Sequence, residues 1–330
     1  MIEIASWLRV PSTAVALVPA LAAAQTFPSK PVRLVVPFAP GGTTDLLARV
    51  IAEPLGQALG QTVIVENKAG AGGAVGAAEL AKAPPDGHGL LMSSVSTMAT
   101  NPAINPAIQY DPVKDFVHAS NVAATPNVIA VHPSFPARDY KAFAAALRAS
   151  PDAFSHGTAG NGSVGHLLAE LYKSAAQVYV THIPYRGSGP ALNDVLAGQL
   201  PIIVDYLPSA LPFIKDKRLV PIVVAAPQRL AGLPDVPTFA EVGLAGVNRM
   251  SFLGVSAPKG TPKATVDTLN AALKSVLAMP NVRERIEATG AIVAGNSADE
   301  YQKQVSDERS TYRRLVAEQQ LKLERARASA

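Results

Sequence analysis

Apolar and polar positions follow two rhythms along this chain, and the rhythms take turns. Val32 to Pro37 (VRLVVP) is a short continuous apolar run, the pattern of a buried strand. After a Gly41-Gly42 turn, Thr44 to Leu59 carries its apolar residues at helical spacing. Val63 to Glu66 returns to a strand, Gly73 to Ala83 to a helix of small residues, and Leu90 to Ser93 to a third strand. A second set follows, with strands over Phe154 to Thr158, Val178 to Tyr185, Pro201 to Tyr206 and Val220 to Ala225. Helices over His166 to Ala175 and Pro190 to Ala197 separate them. Strands divided by helices predict parallel pairing with right-handed crossovers.

Two stretches join the sets. Val122 to Val131, ending at His132-Pro133, reads as a strand that crosses from one set to the other, and Phe252 to Ala257 (FLGVSA) as one that crosses back. Thr265 to Leu277, Val282 to Thr289 and Ala298 to Gln319 are helical; Ser297 and Glu300 have the spacing of a capping box, and Arg325 to Ala330 reads as a frayed tail. The expected architecture is α/β with two lobes, each a mainly parallel sheet flanked by helices, joined by a two-strand hinge. Lobe 1 is expected over 25–125 plus 245–330 and lobe 2 over 126–244. A chain of 330 residues is long for a single core, and no solenoid period is visible.

Composition narrows the class. With 48% hydrophobic and 16% charged residues the chain packs as a globular protein. The formal charge of +4 is scattered and forms no nucleic-acid arm. Cysteine is absent, which excludes disulfides, thiolate metal sites, a Cys nucleophile and a lipidated N-terminal Cys. The first 24 residues read as a signal peptide: Arg9 is the basic flank, partly offset by Glu3. Ala14 to Ala24 is the apolar stretch, and Ala22-Ala23-Ala24 is a small-x-small cleavage site before Gln25. That stretch is shorter than the ~20 residues of a membrane span and is interrupted by Pro19. The mature chain is expected to be soluble, monomeric and periplasmic.

Two strand-to-helix loops carry the candidate chemistry. Pro37 to Asp45 (PFAPGGTTD) places Gly41 and Gly42 where backbone N–H groups open a helix, with Thr43 or Thr44 as cap and hydroxyl donor. Free N–H groups and the helix dipole make such a terminus an anion site. Phe38, Ala39 and Asp45 belong to the same lining. Thr158 to His166 (TAGNGSVGH) is the second loop, and Gly160, Gly162 and Gly165 spell G-x-G-x-x-G. As a dinucleotide fingerprint it lacks its acidic partner, because the next strand ends in Pro184-Tyr185-Arg186; no cofactor is expected. The same geometry suits a carboxylate, with Ser163 adding a hydroxyl donor and Tyr185 a further candidate contact. Ser163 is not in a G-x-S-x-G setting, and His166 reads as a helix-start residue before a catalytic base. The six histidines show no metal spacing. Asp205 ends an apolar strand at the position where α/β ligands bind.

These blocks resemble the Bug family, the TctC-like solute receptors of tripartite tricarboxylate transporters. The likeness runs through FPSKPVRLVVPFAPGGTTDLLAR (27–49), ENKAGAGGAVGA (66–77), GNGSVGHLLAEL (160–171), HIPYRGSGPALNDVLAGQL (182–200) and LPDVPTFAEVGLAG (233–246), nearly the whole mature chain. The resemblance implies a type II two-lobe binding protein holding a ligand carboxylate between Gly41, Gly42 and Thr43 on one side and Asn161, Gly162 and Ser163 on the other. It adds the stretch Ser93 to Thr97, with Ser94 and Thr97, as further lining. Phe252, Pro201 and His88 depart from residues common in the family (Trp, Asp and Tyr). The implied partners are a small carboxylate (a dicarboxylate, amino acid or aromatic acid) and integral membrane transporter subunits. A ligand-sensing receptor for a signalling partner is the alternative, and an NADP-linked or Ser163-dependent enzyme a more distant one.

Overall fold

The computed structural model describes residues 27–321; the candidate signal peptide and the tail from Arg325 lie outside them. Two separate sheets form. The first has six strands: β1 (Val32–Val36), β2 (Val63–Asn67), β3 (Gly89–Ser94), β4 (Phe116–Thr125), β10 (Ser251–Pro258) and β11 (Ile292–Val293), in the order β11-β4-β10-β3-β1-β2. The second has five: β5 (Asn127–Val131), β6 (Ser155–Thr158), β7 (Thr181–Pro184), β8 (Ile202–Tyr206) and β9 (Val220–Ala225), in the order β7-β6-β8-β5-β9. Each sheet has an antiparallel strand in its middle, β10 in the first and β5 in the second, so the sheets are mixed. In each lobe that strand is the first one laid down after the chain arrives from the other lobe. Apart from β11, the two orders are therefore the same pattern twice.

The helices cover both faces. Leu47, Ile51 and Leu55 of α1 (Thr43–Leu59) pack with Leu269, Leu273 and Val276 of α8 (Lys263–Ala278) beneath Val32, Leu34 and Val36. Leu192 and Val195 of α6 (Ser188–Leu196) and Leu207 and Leu211 of α7 (Leu207–Lys215) do the same under Val128 and Ala130. All five residues of β5 are buried, which is why it reads as apolar from Val128 to Val131.

The crossings differ from the sequence reading. The single strand expected over 122–131 is two, broken at Pro126, because proline has no N–H to give to either ladder. The polar run His118 to Asn121 hid the first half of β4. The strand expected to cross back, β10, lies wholly in the first sheet, and the return is upstream of Ser251. Asn127 clips the two crossings together: its Nδ2 donates to the Arg249 carbonyl at 3.0 Å and to Ser251 Oγ at 3.1 Å. The long helix α10 (Ala298–Glu318) begins with the expected capping box, Glu300 N–H to Ser297 Oγ at 3.2 Å and Ser297 N–H to Glu300 at 2.8 Å. Helix α4 (Tyr140–Ala149) and α7 escaped the sequence reading, the latter because Pro208 and Pro212 disguise it. Pro208 falls in the first turn, where no N–H is needed.

Candidate functional site

The parallel strands of both sheets point their C-terminal ends at the surface where the lobes meet, the usual ligand face of α/β sheets. After β1, Gly41 turns at φ +88 and its N–H donates to Asp45 Oδ2 at 3.1 Å. Asp45 also accepts from Arg49 Nε at 3.1 Å and Asn67 Nδ2 at 2.9 Å. Burial raises the Asp45 carboxyl, but the bonds from Arg49, Asn67 and Gly41 outweigh it and hold the group below the usual carboxylate value. Asp45 therefore fixes the loop. Gly42 is the N-cap of α1 and makes no side-chain cap, leaving the first-turn amides free of one.

This loop meets the second lobe directly. The Ala39 amide donates to the Arg186 carbonyl at 3.0 Å. Thr43 accepts the Ser209 amide at 3.1 Å and donates to Ser209 Oγ at 3.0 Å, so a lobe 1 side chain caps the lobe 2 helix α7. A Cβ on Gly42 would come within 3.2 Å of the Ser188 side chain, at the start of α6, whose own N-cap Gly187 also lacks a side-chain cap. Phe38 is buried between the Gly187 side of this contact and Gly73.

The second loop is arranged in the same way with the lobes exchanged. Ser163 caps α5 (Val164–Ala176) by accepting the His166 amide at 3.3 Å. The Val164 amide donates to Ser96 Oγ of lobe 1 at 3.0 Å, and Thr100 Oγ1 donates to the Gly162 carbonyl at 2.7 Å. Asn161 meets Gly72, just before α2 (Ala74–Ala81), whose N-cap Gly73 lacks a side-chain cap. Gly72 sits at φ +61 and a Cβ there would collide with the Asn161 carbonyl oxygen. The N-termini of α1 and α6 thus abut across the lobes, and those of α5 and α2 abut beside them.

The structure gives several of the expected residues partners within the protein. The two glycine loops do not face one another: the first meets Arg186 to Gly189 and Ser209, the second meets Gly72, Ser96, Thr100 and Asn101. The Tyr185 hydroxyl is bonded to Asp194 at 2.5 Å. Ser94 and Thr97 bond each other, the Ser94 amide to Thr97 Oγ1 at 3.0 Å, and it is Ser96 between them that reaches across, 3.4 Å from the Tyr206 hydroxyl. His166 Nδ1 accepts the Gly162 amide at 3.2 Å, which shapes the loop and leaves that nitrogen unable to take a proton from Ser163. Asn101 occupies the close approach at Gly162 that a dinucleotide fingerprint reserves for pyrophosphate. Sequence reasoning missed Ser188 and Ser209; the Gly-Ser-Gly at 187–189, which opens a helix after a strand, was the readable signal for the first.

Asp205 is buried at this interface, with Ser188 Oγ donating to Oδ1 at 2.5 Å and Ser209 Oγ to Oδ2 at 2.6 Å. Burial pushes its pKa up to about 6 despite those bonds. Among the described residues no Lys or Arg is buried, and the carboxylates that are buried are Asp45 and Asp205. Any charge on a ligand here is met by helix termini and hydroxyls.

Two mixed α/β sheets of one repeated strand order, joined by paired crossings and meeting over their strand ends, define a two-lobe binding protein. The family described as tripartite tricarboxylate transporter family receptor (TctC) matches residues 47–321, and the chain belongs to that family. BugT of Bordetella pertussis is 35% identical over 91% of this chain and 92% of its own. A solved periplasmic transporter superposes with a TM-score of 0.88 at 43% identity, covering 90% of this chain and all of the other. MatC of Rhodopseudomonas palustris, solved with bound malate, superposes with a TM-score of 0.85 at 34% identity, over 88% of this chain and all of MatC.

Proposed function

We propose that this solute-binding protein captures a small mono- or dicarboxylate between its lobes in the periplasm and hands it to the membrane subunits of a transporter. The observation that carries the reading is the meeting of the α1, α2, α5 and α6 N-termini at an interface with no buried Lys or Arg among the described residues. Helix termini favour an anion by hydrogen bonds and dipole without the desolvation cost of a buried cation. Gly42, Thr43, Ser163 and Ser188 are the contacts we put forward, with Asn161 and Ser96 shaping the opposite wall. Closure would turn on Pro126 and the return before Ser251, and the closed form, as a monomer, would be what the transporter recognises. The malate held by MatC fits this class of ligand.

The binding reading is preferred over an enzyme because Ser163 caps a helix and His166 Nδ1 is engaged by a backbone amide, so neither forms a nucleophile–base pair. A thermal-shift screen against small acids, malate and adipate included, tests it. At a hundredfold excess over Kd a true ligand stabilises by about 2.7 kcal/mol. The reading fails if no acid stabilises the protein while NADP does, or if turnover appears that Ser163→Ala abolishes.

A further inference from the structure

Asp205 is buried where the lobes meet, and no Lys or Arg among the described residues is buried with it. On its own strand it is followed by the Tyr206 phenol, and across the ladder its partner is Val128. From α6 it faces Ser188, from α7 Ser209, and from lobe 1 Thr43 behind Ser209. The nearby charges are committed elsewhere: Asp45 pairs with Arg49 at 3.0 Å, and Asp194 is bonded to Tyr185. Only hydroxyls stabilise the Asp205 anion from side chains, and lobe 1 forms part of its cover, since Gly42 lies over Ser188.

We infer that closing the lobes draws a proton onto Asp205 in mild acid, so that capture of an anionic ligand there takes up a proton with it. The second half rests on the carboxylate reading above; the first does not. An ionised Asp205 and a ligand carboxylate would compete for the same α1 and α6 termini with no buried Lys or Arg among the described residues to offset them, and protonation removes one of the two charges. The protonated carboxyl donates to Ser188 Oγ or Ser209 Oγ, and the serine hydroxyl that had been donating to Asp205 is released to donate to the ligand. When the lobes part, Ser188 and Asp205 lose the cover of Gly42 and Thr43, water returns, and the carboxyl moves back toward its ordinary 3.8 from about 6. The closed form then binds more protons than the open one between those values, so closure strengthens as pH falls. From pH 7.5 to 5 the closed-to-open ratio rises about tenfold.

The chain has no cysteine, so a donor–acceptor dye pair can be placed at Ile64→Cys on lobe 1 and Lys215→Cys on lobe 2 and the interlobe distance read without ligand. The closed fraction is expected to rise between pH 7.5 and 5, with the rise setting in near 6. In Asp205→Asn it should not change with pH. Ser209→Ala, which removes one donor to the anion, should move the onset of the rise to higher pH, and it decides the question if Asp205→Asn does not fold. An unchanged closed fraction in the parent protein, or an unchanged pH response in Asp205→Asn, overturns the inference. Failure of every acid to bind would defeat the carboxylate reading and leave this measurement intact.

Discussion

The Thr43 hydroxyl accepts the Ser209 amide at 3.1 Å and donates to Ser209 Oγ at 3.0 Å, so one side chain of the first lobe completes a helix of the second. Thr43 is 166 residues from Ser209 in sequence, and the bond exists only when the lobes are together. Thr43→Val keeps the shape and removes both bonds. Losing a cap costs roughly 1 kcal/mol, so ligand affinity should fall about fivefold, measured by calorimetry with a ligand found in the acid screen. The melting temperature of the unliganded protein should hardly move. An equal loss of both would mean that Thr43 stabilises its own lobe and not closure.

Gly72 tests closure from the other side. Its φ of +61 already disfavours a side chain, and a Cβ would strike the Asn161 carbonyl of lobe 2. Gly72→Ala should cost the free protein about 1 kcal/mol through the backbone alone. The clash should reduce ligand affinity much further, by a hundredfold or more, with small-angle scattering showing the lobes held apart. Affinity that falls only in step with stability would show that loop 71–73 yields and the lobes still close.

Much of this arrangement is legible in the residues, and the limits are instructive. Gly41, Gly42 and Ser163 are readable because a glycine or serine between an apolar strand and an amphipathic helix has few other uses. The pairing of loops is not readable, since which loop meets which depends on the rotation of one lobe on the other. The family resemblance implies that Gly42 and Ser163 hold one carboxylate between them, and the fold puts Gly42 against Ser188 and Val164 against Ser96. Asp45 and Tyr185 look like ligand groups for the same reason: position names them, but Arg49 and Asp194 have claimed them. Pro126 is the opposite case, a residue whose missing N–H marks the hinge within an otherwise unbroken β pattern.

Acid should weaken the fold through three histidines of lobe 2. His156 and His182 are register partners with ring centroids 5.1 Å apart, and His166 stacks on His182 at 4.2 Å. Burial is the main cause in each case, and it pushes His156 down to about 3, His166 to about 4 and His182 to about 2. Lys173 adds to all three in the same direction. The unfolded chain takes up these protons near pH 6.5 and the folded one resists, so stability falls as pH drops from 6.5 toward 4. Asp205 acts with the opposite sign over 3.8 to about 6, but as one group against these three and His118, which burial lowers to about 4. Neither ring nitrogen of His156 has a well-formed hydrogen bond, so His156→Phe should cost little on that account. One histidine that resists protonation costs roughly 2 kcal/mol between pH 6.5 and 5. The variant should therefore lose visibly less stability than the parent over that range in denaturant titrations. A parallel loss in both proteins would mean that His156 is protonated in the folded state and that the acid sensitivity lies elsewhere.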